Sequence, residues 1–356
     1  MSLIEHSKPT IGEEEEEAAQ NVMASGDLGS GEEVEAFEDE FAEKLGVSHA
    51  IATTTGTAAL HLALKCLDVD PEDRAVLPSY GEASLLHAIH YLDATPRTVE
   101  VDPDTYNIDP YAVKGVLEPE TQAIIAPHMF GHPAPVDEIL ELGIPVIEDC
   151  SMALGTELHG KDVGSIGDVC VASFQSDDYI STGKGGVLAT DDEEIYSTAQ
   201  DLVSHARRED YRVRYNYRMD NLKAAIGRVQ LSKLDDFIDR RQELAKNYLS
   251  ALQEAPVGLP EDRTEGDHIY HRFVIGSGPM DRHVMENHFL EEDIEIQGPV
   301  YKPLHRYVRL SDEDFPNTTS SFRQNVSLPI YPGLTNEEQQ RVIETLFEFA
   351  EEEGVL

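Results

Sequence analysis

The stretch His49-Ala-Ile-Ala-Thr-Thr-Thr-Gly-Thr-Ala-Ala-Leu-His-Leu-Ala-Leu64 decides the fold class of this chain. It begins as a short β-like run, turns at Gly56 and Thr57, and then continues into a strongly helical segment. A strand that passes through a glycine turn directly into a helix predicts a βα unit. Because the first turn of such a helix offers free amide groups, Gly56 and Thr57 are candidate anion-binding residues. The alternative is a glycine that serves only the turn.

Helix-like and strand-like stretches continue on both sides of this unit. An amphipathic helix is predicted before it, over Glu32–Leu45, which is followed by Gly46 as a stop signal. The stretches predicted after it alternate between strand and helix and are, in chain order, Arg74–Pro78, Ser84–Leu92, Thr98–Val101, Pro110–Val116, Ala123–Pro127, Pro135–Leu142, Pro145–Glu148 and Val169–Phe174. This alternation predicts an α/β fold with a mostly parallel sheet covered by helices on both faces.

The C-terminal third has a different pattern. One long helix is predicted over Asn221–Leu252, and Ala255–Glu265 has the composition of a linker or exposed loop. Short strands and helices follow, predicted at Tyr270–Ile275, Asp281–Leu290, Ile294–Ile296 and Thr335–Glu351, the last with a capping box between Thr335 and Glu338. We therefore expect a large α/β domain over residues 1–235 and a smaller α+β domain over residues 236–356.

The charge of the chain excludes two classes of partner. In 356 residues there are 27 Lys and Arg against 69 Asp and Glu, a formal net charge of −42. Nucleic acids and anionic membranes are bound through clustered Lys and Arg, so we expect neither partner. Acids spread from Glu13 to Glu353, only ten lysines and no Trp suggest adaptation to a high-salt cytoplasm, as in a halophile. The alternative is a mesophilic protein with a local acidic tail.

The cysteines and the hydropathy pattern predict a cytoplasmic protein. The three cysteines, Cys66, Cys150 and Cys170, are widely spaced and form no Cys-x-x-Cys pair, as expected in a reducing compartment. No apolar run approaches the roughly 20 residues of a membrane-spanning helix, and Met1–Thr10 has no apolar core of a signal peptide.

Two further stretches carry side chains suited to chemistry. The predicted strand Ile144-Pro-Val-Ile-Glu-Asp149 ends in two carboxylates, and the carboxyl ends of parallel strands line ligand crevices, so Asp149 could face a cationic group or cap a helix. The predicted strand ending at Ser173-Phe174 runs into Gly183-Lys184-Gly-Gly186, where Lys184 is held close to tightly turned backbone or is simply exposed to solvent.

These stretches together resemble a known family. The chain is similar to the DegT/DnrJ/EryC1/StrS sugar aminotransferases, which are fold-type I enzymes dependent on pyridoxal phosphate (PLP). The resemblance runs from Lys8-Pro-Thr-Ile to Tyr331-Pro-Gly-Leu-Thr335 and rests on motifs in the family's order, among them Gly56-Thr57-Ala-Ala-Leu, Pro78-Ser-Tyr80, Pro127-His-Met-Phe-Gly131, Val146-Ile-Glu-Asp149, Ser173-Phe174, Tyr215-Asn-Tyr-Arg-Met219 and Tyr301-Lys-Pro-Leu-His305.

The resemblance implies a role for each matching position. Gly56, Thr57 and the Ser173 hydroxyl match the residues that hold the PLP phosphate. Asp149 matches the carboxylate that pairs with the protonated pyridine nitrogen and keeps the ring an electron sink. Asn216 matches a residue that reaches the phosphate of a neighbouring subunit, which implies a homodimer with composite sites. Tyr301 and His305 match a loop near a nucleotide-sugar substrate, in a family whose usual setting is polysaccharide or secondary-metabolite synthesis.

The chain also departs from the family pattern around the cofactor. Asp178 stands five residues after Ser173, where the family has its Schiff-base lysine, and an Asp can form no Schiff base. Glu82 stands where the family stacks an aromatic ring on the pyridine, and Met152 stands where a Gln touches the cofactor hydroxyl. The family's Gly-Glu-Gly-Gly reads Gly183-Lys184-Gly-Gly186. We therefore expect an active site that has been altered as a unit.

The sequence leaves several functions open. Lys184 could replace the missing amine, or the site could hold pyridoxamine phosphate (PMP) without a covalent bond and use Asp178 as the base. A second possibility is a catalytically degenerate homologue that acts as a binding or regulatory subunit, alone or with an active paralogue. A third is cofactor-independent acid–base chemistry on a sugar by Glu82 and Asp178, or a metal held by these two residues with His128.

Overall fold

The computed structural model describes residues 3–204, 209–260 and 268–356. Its strands are β1 (His49–Thr53), β2 (Arg74–Pro78), β3 (Thr95–Val99), β4 (Thr121–Pro127), β5 (Val146–Asp149), β6 (Glu157–Leu158), β7 (Lys161–Asp162), β8 (Val169–Ser173), β9 (Gly186–Thr190), β10 (Phe273–Gly276) and β11 (Asn325–Leu328). Its α-helices are α1 (Glu13–Ser25), α2 (Glu32–Leu45), α3 (Gly56–Cys66), α4 (Ala83–His90), α5 (Pro110–Val116), α6 (Val136–Leu140), α7 (Glu193–Val203), α8 (Asn221–Ser232), α9 (Leu234–Ala251), α10 (Arg282–Glu291), α11 (Leu304–Tyr307), α12 (Pro316–Gln324) and α13 (Asn336–Glu352).

The main sheet has seven strands in the order β1-β9-β8-β5-β4-β2-β3. Strand β9 runs antiparallel to both of its neighbours, and the other neighbouring pairs are parallel. The predicted α/β fold with a mostly parallel sheet is therefore confirmed. The carboxyl ends of β2, β4, β5 and β8 lie at one edge of this sheet, where ligands of open α/β folds bind.

Helices cover both faces of this sheet. Successive side chains of a strand therefore pack into two different cores, one on each face. In β9, Val187 and Ala189 belong to a buried cluster that contains Phe37 and Phe41 of α2. Leu188, between them, packs in the opposite cluster with apolar residues of α3 and α4. This period of two is what a strand buried on both faces requires.

The helix predicted over Asn221–Leu252 is wrong as a single element, because it breaks at Lys233 into α8 and α9. The residues just after the break, including Leu234 and Ile238, pack in the core of the main sheet. Leu244 and Tyr248, later in α9, pack in the C-terminal core instead. The sequence around Lys233 contains no Gly or Pro, and Leu231 before the break packs in the same core as Leu234 after it, so the change of core occurs later, within α9.

The C-terminal lobe is built around the β10–β11 ribbon and a core that contains Tyr248, Phe273 and Phe289. The capping box at Thr335 is confirmed at the start of α13. The strand predicted over Ile294–Ile296 is wrong, because only an isolated bridge joins Ile294 to Ile4. The acidic segment that starts at Glu13 is helix α1, which the sequence analysis had not predicted, and Glu15 in its first turn is buried.

One predicted domain boundary and one predicted loop lie in the C-terminal third of the chain. The boundary between residues 235 and 236 falls near the start of α9 and stays a prediction. Residues 261–265 of the predicted loop Ala255–Glu265 lie outside the described part of the chain. Within the described residues, no helix is both long and apolar enough to cross a lipid bilayer.

Candidate active site

A cavity of about 410 Å³ lies at the carboxyl edge of the main sheet. It brings together nine of the residues singled out from the sequence, namely Gly56, Thr57, Glu82, His128, Asp149, Met152, Ser173, Asp178 and Lys184. These residues come from the ends of β4, β5 and β8, the start of α3, the residue before α4 and the loop before β9. The topology therefore assembles in space what the sequence analysis had assigned to one site.

One end of the cavity is a tightly packed cradle at the start of α3. The hydroxyl of Thr55 accepts a hydrogen bond from the amide of Ala58 and caps the helix. A Cβ atom on Gly56 would lie 2.6 Å from the Cβ atom of Ser173, so only glycine allows the helix to approach β8 this closely. The amide groups of Gly56 and Thr57 belong to the first helical turn and have no intrahelical acceptor. This end of the cavity can hold an anion such as a phosphate.

Asp149 lies at the end of β5 and faces the cavity. Its carboxylate accepts hydrogen bonds from the Ser151 hydroxyl at 2.5 Å and from the Ser151 amide at 3.0 Å. Burial raises the pKa of Asp149 above its usual value, and the two Ser151 bonds offset only part of that effect. A protonated ring nitrogen bound in the cavity would place a positive charge beside this carboxylate and so stabilise its ionised form.

Asp178 lies beside the anion cradle. One of its carboxylate oxygens accepts hydrogen bonds from the Ser173 hydroxyl at 2.7 Å and from the Gln175 amide at 2.6 Å. Burial raises the pKa of Asp178 to about 7, and the nearby Asp177 and Asp149 raise it further against these two donors. Asp178 can therefore exchange a proton near neutral pH.

Glu82 and Met152 also line the cavity. Burial raises the pKa of Glu82, and the positive charge of Arg272 partly offsets this rise. Glu82 is the residue before α4, and its side chain accepts no capping hydrogen bond from that helix. An acid and a thioether therefore stand on the walls, where the family resemblance predicts an aromatic ring and an amide.

Lys184 lies in the loop before β9, and its side chain is exposed at the edge of the cavity. The loop is anchored by a hydrogen bond from the Phe174 amide to the Gly185 carbonyl and by Gly183, whose φ of +77° favours glycine. The anchored backbone keeps Lys184 next to the cradle of Gly56 and Ser173.

His128 lines the cavity, but its side chain is fully buried and held by other residues. Its Nε2 atom is 3.0 Å from the Glu148 carboxylate, and its Nδ1 atom accepts a hydrogen bond from the Ala134 amide at 2.8 Å. Both ring nitrogens are thus engaged within the protein, and His128 offers neither of them to a metal shared with Glu82 and Asp178.

The remaining three predicted residues do not line the cavity of a single chain, and their roles stay predictions. Asn216 is exposed, and the side chain of Tyr301 is 88% exposed. His305 is fully buried, with its Nδ1 atom 2.5 Å from the Ser79 hydroxyl and its Nε2 atom 3.0 Å from the Asp312 carboxylate. His305 therefore joins the loop before α12 to the end of β2.

Arg272 is a cavity residue that the sequence analysis did not single out. It lies just before β10, and its guanidinium group is 3.3 Å from the Asp177 carboxylate. The available signal was a single cation within the apolar run Ile269-Tyr-His-Arg-Phe-Val-Ile275, where a buried strand residue would ordinarily be apolar.

Comparisons with known proteins agree with the fold. A model of the DegT/DnrJ/EryC1/StrS aminotransferase family matches residues 9–347. The GDP-perosamine synthase of Escherichia coli O157:H7 is 31% identical over 98% of this chain and 99% of that protein. The crystal structure of S. venezuelae DesV in complex with a ketimine intermediate is 32% identical, with a TM-score of 0.90 over 95% of this chain and 94% of DesV. The PMP form of Spr1654 from Streptococcus pneumoniae is 23% identical and shares the fold, with a TM-score of 0.93 over 98% of each chain.

Proposed function

Because this chain belongs to the DegT/DnrJ/EryC1/StrS aminotransferase family, we propose that it acts on a nucleotide-linked sugar with a PMP cofactor held without a covalent bond. Members of this family are sugar aminotransferases, and the PMP form of Spr1654 shows that a relative of this fold holds PMP. The finer proposal is that Asp178 takes the proton-transfer role for which the family resemblance predicts a lysine.

The cavity fits the two ends of such a cofactor. The free amides of Gly56 and Thr57 suit a phosphate group, and the cradle at Gly56 leaves no room for a side chain between α3 and Ser173. The Asp149 carboxylate accepts few hydrogen bonds, and its pKa is raised by burial. It therefore suits a protonated pyridine nitrogen. When bound, the cofactor would supply an electron sink for proton removal from a substrate carbon.

The observation that carries the proposal is the position and pKa of Asp178. Its carboxyl group lies inside the cavity and accepts a hydrogen bond from the Ser173 hydroxyl. Its pKa of about 7 leaves it partly protonated at neutral pH. A group in this state can accept a proton from a substrate and return it without a large energetic penalty in either direction. An acid at this position needs no covalent bond to the cofactor, which makes PMP a better fit than PLP.

Binding of a phosphate would change the state of Asp178. In the free chain the Ser173 hydroxyl donates to Asp178, whereas the family resemblance predicts that it donates to the phosphate. A phosphate dianion beside Asp178 raises the pKa of this carboxyl group further, since like charges disfavour the ionised form. Cofactor binding is therefore coupled to proton uptake, which calorimetry in buffers of different ionisation enthalpy would measure.

The central experiment is a titration of the purified protein with PMP in molar KCl, followed by assay with nucleotide sugars. We expect saturable PMP binding, and we expect Asp178→Asn to bind PMP but to lose turnover. No PMP binding would overturn the proposal. With PLP and borohydride, a covalent adduct on Lys184 would also overturn it, in favour of Lys184 as the relocated amine.

A second function is favoured by the acids around the cavity. Glu82, Asp149, Asp177 and Asp178 all line it, and carboxylates repel a phosphate-bearing ligand. This feature favours a degenerate homologue that serves as a binding or regulatory subunit, either alone or paired with an active paralogue. A chain that binds a nucleotide sugar but neither PMP nor PLP, and turns over neither, would fit this function. Turnover without any cofactor would instead fit acid–base chemistry by Glu82 and Asp178.

We also propose a homodimer with shared sites. Asn216 is exposed and does not line the cavity of its own chain, as expected for a residue that acts on a neighbouring subunit. The flanking Tyr215 and Tyr217 rings stack with their centroids 5.1 Å apart, which stiffens this segment. Light scattering in molar KCl should give twice the chain mass of 39.5 kDa.

The net charge of −42 supports a high-salt setting for this protein. At 1 M salt the Debye length is about 3 Å, which screens the repulsion among surface carboxylates. We expect the melting temperature to rise between 0.1 M and 2 M KCl. A melting temperature that falls over this range would contradict high-salt adaptation.

A further inference from the structure

Arg272 holds a buried guanidinium group in the wall of the cavity. Its side chain is only 8% exposed, and its contact with the Asp177 carboxylate, at 3.3 Å, involves one terminal nitrogen. Its buried Nε atom has no hydrogen-bond partner within residues 3–204, 209–260 and 268–356. An Arg side chain carries a positive charge and five N–H donors in a fixed planar arrangement.

The surroundings of Arg272 compensate this charge only in part. Asp177 is its ion-pair partner, but the Asp177 side chain is 46% exposed, so solvent weakens the pair. Burial raises the pKa of Glu82, and the Arg272 charge offsets only part of this rise, with no ion pair between the two side chains. On the other side of Arg272 lie His6 and His271, whose pKa values are lowered first by burial and then by the Arg272 charge, so both stay neutral.

A buried, incompletely paired guanidinium favours an oxyanion as ligand. Burying such a charge is costly unless hydrogen bonds and an opposite charge compensate it. The planar fork of Arg matches the two oxygens of a carboxylate or a phosphate, which would add acceptors and an opposite charge to its single contact with Asp177. The second cation that lines the cavity, the exposed Lys184, lies beside the Gly56 cradle, so Arg272 serves a different part of the ligand.

We propose that Arg272 binds an oxyanion of the second ligand in this cavity and thereby determines which ligand is accepted. This inference rests on the proposed function, in which the cavity receives a ligand besides the cofactor. The oxyanion is either the carboxylate of an amino or keto acid or the diphosphate of a nucleotide sugar. Asp177 holds the guanidinium in the free protein, and its half-exposed side chain can turn to solvent when the ligand arrives.

The test is calorimetric titration of the full-length protein with two separate probes, L-glutamate for the carboxylate and inorganic pyrophosphate for the diphosphate. We expect Arg272→Met to weaken binding of at least one probe tenfold or more, since a charge-assisted pair is lost. Asp177→Asn should tighten binding of the same probe several-fold, because it releases the guanidinium. Arg341→Met is the matched control, since Arg341 lies on α13 and contacts the Glu292 carbonyl instead of the cavity.

Each outcome decides the inference. A loss confined to glutamate identifies an acid ligand, a loss confined to pyrophosphate identifies the nucleotide sugar, and a loss of both supports a general oxyanion role. Equal affinities of Arg272→Met and Arg341→Met, no binding of either probe to the wild type, or weaker binding by Asp177→Asn would overturn it. The Asp177→Asn arm expects a gain, so a variant that merely misfolds cannot mimic support.

PMP affinity, measured in parallel, separates this inference from the proposed function. If the Arg272→Met protein keeps normal PMP binding but shows no oxyanion effect, only the role of Arg272 fails. If the wild type binds no PMP, but the Arg272→Met protein binds the oxyanion probe more weakly than the wild type does, the cofactor proposal fails and the oxyanion role of Arg272 stands.

Discussion

Glu148 and Asp149 are neighbours on β5, yet the protein shifts the pKa values of their carboxyl groups in opposite directions. Glu148 is fully buried behind the cavity and accepts hydrogen bonds from the amides of Gly164, Ile166 and Gly167 as well as contacting His128. Asp149 lies on the other face of the strand, and Ser151 is the only donor to its carboxylate among the residues that the structure describes. Burial raises the pKa of both groups, but the donors around Glu148 outweigh it and lower its pKa overall, whereas the pKa of Asp149 stays raised.

The difference separates structural carboxylates from carboxylates kept for a ligand. A group with all of its lone pairs satisfied by the protein fixes the chain around it and has nothing to offer a ligand. A group left short of donors is destabilised until a ligand or a proton arrives. Asp178 and Glu82 resemble Asp149 in this respect, since burial raises the pKa of both.

Removal of the structural carboxylate should have the largest effect. Glu148→Ala leaves three buried amides and His128 without an acceptor, and we expect it to lower the free energy of unfolding by about 3–5 kcal/mol. Thermal and urea unfolding in molar KCl would measure this. Glu148→Gln keeps one acceptor oxygen and should lose less. A loss under about 1 kcal/mol for Glu148→Ala would remove the distinction between the two carboxylates.

The matched change at the ligand-facing carboxylate should affect binding instead of folding. Asp149→Asn keeps the shape of the side chain but removes the charge that pairs with a ring nitrogen, so we expect PMP affinity to fall about 10- to 100-fold. Stability should stay the same or rise slightly, because a buried carboxylate no longer needs to ionise. A large loss of stability with unchanged PMP affinity would reverse the comparison.

Asp178 should show its raised pKa in the pH dependence of stability. The folded-state pKa of about 7 lies above the ordinary value of 3.8, so ionisation of Asp178 costs stability as the pH rises from about 4 to 7, and this cost is constant above pH 7. Asp178→Asn should therefore be more stable than the wild type at pH 8, by about 2–4 kcal/mol, the upper value being the full cost of raising the pKa from 3.8 to about 7. The difference between the two proteins should shrink towards pH 4. A difference independent of pH would show that Asp178 titrates normally.

The smallest effect is expected at Ser151. Ser151→Ala removes the hydroxyl donor of Asp149 but leaves the backbone amide in place. The pKa of Asp149 should rise further, and PMP affinity should fall only a few-fold, in line with about 1 kcal/mol for one hydrogen bond. Thr335→Ala, at the distant cap of α13, is the control for a lost hydroxyl. An effect as large as that of Asp149→Asn would mean that Ser151 itself contacts the cofactor.

Much of the fold and of the candidate site could be predicted from the sequence, because both depend on local patterns. The strand at Arg74–Pro78 and the helix at Pro110–Val116 have the predicted bounds. The residues after strand ends, such as Asp149 and Ser173, had to meet at one edge of a parallel sheet.

Features set by distant contacts could not be predicted in this way. The break at Lys233 has no Gly or Pro nearby to signal it, and the helix after it extends from one core into another. The burial of His305 depends on Ser79 and Asp312, which approach it from different parts of the fold. Arg272 enters the cavity only because the segment before β10 packs beside β4, with its amide directed at the Phe130 carbonyl.

The β1–β9 pair has a consequence for synthesis on the ribosome. The cradle at Gly56 needs Gly186, where a Cβ atom would lie 2.5 Å from the Thr55 backbone, and Gly186 pairs with Thr53 from much later in the chain. Pairing over such a separation is slow, because a long loop must close first. The nascent chain therefore cannot recruit a ligand until β9 has left the exit tunnel, and ligand capture reports that the whole sheet has been completed.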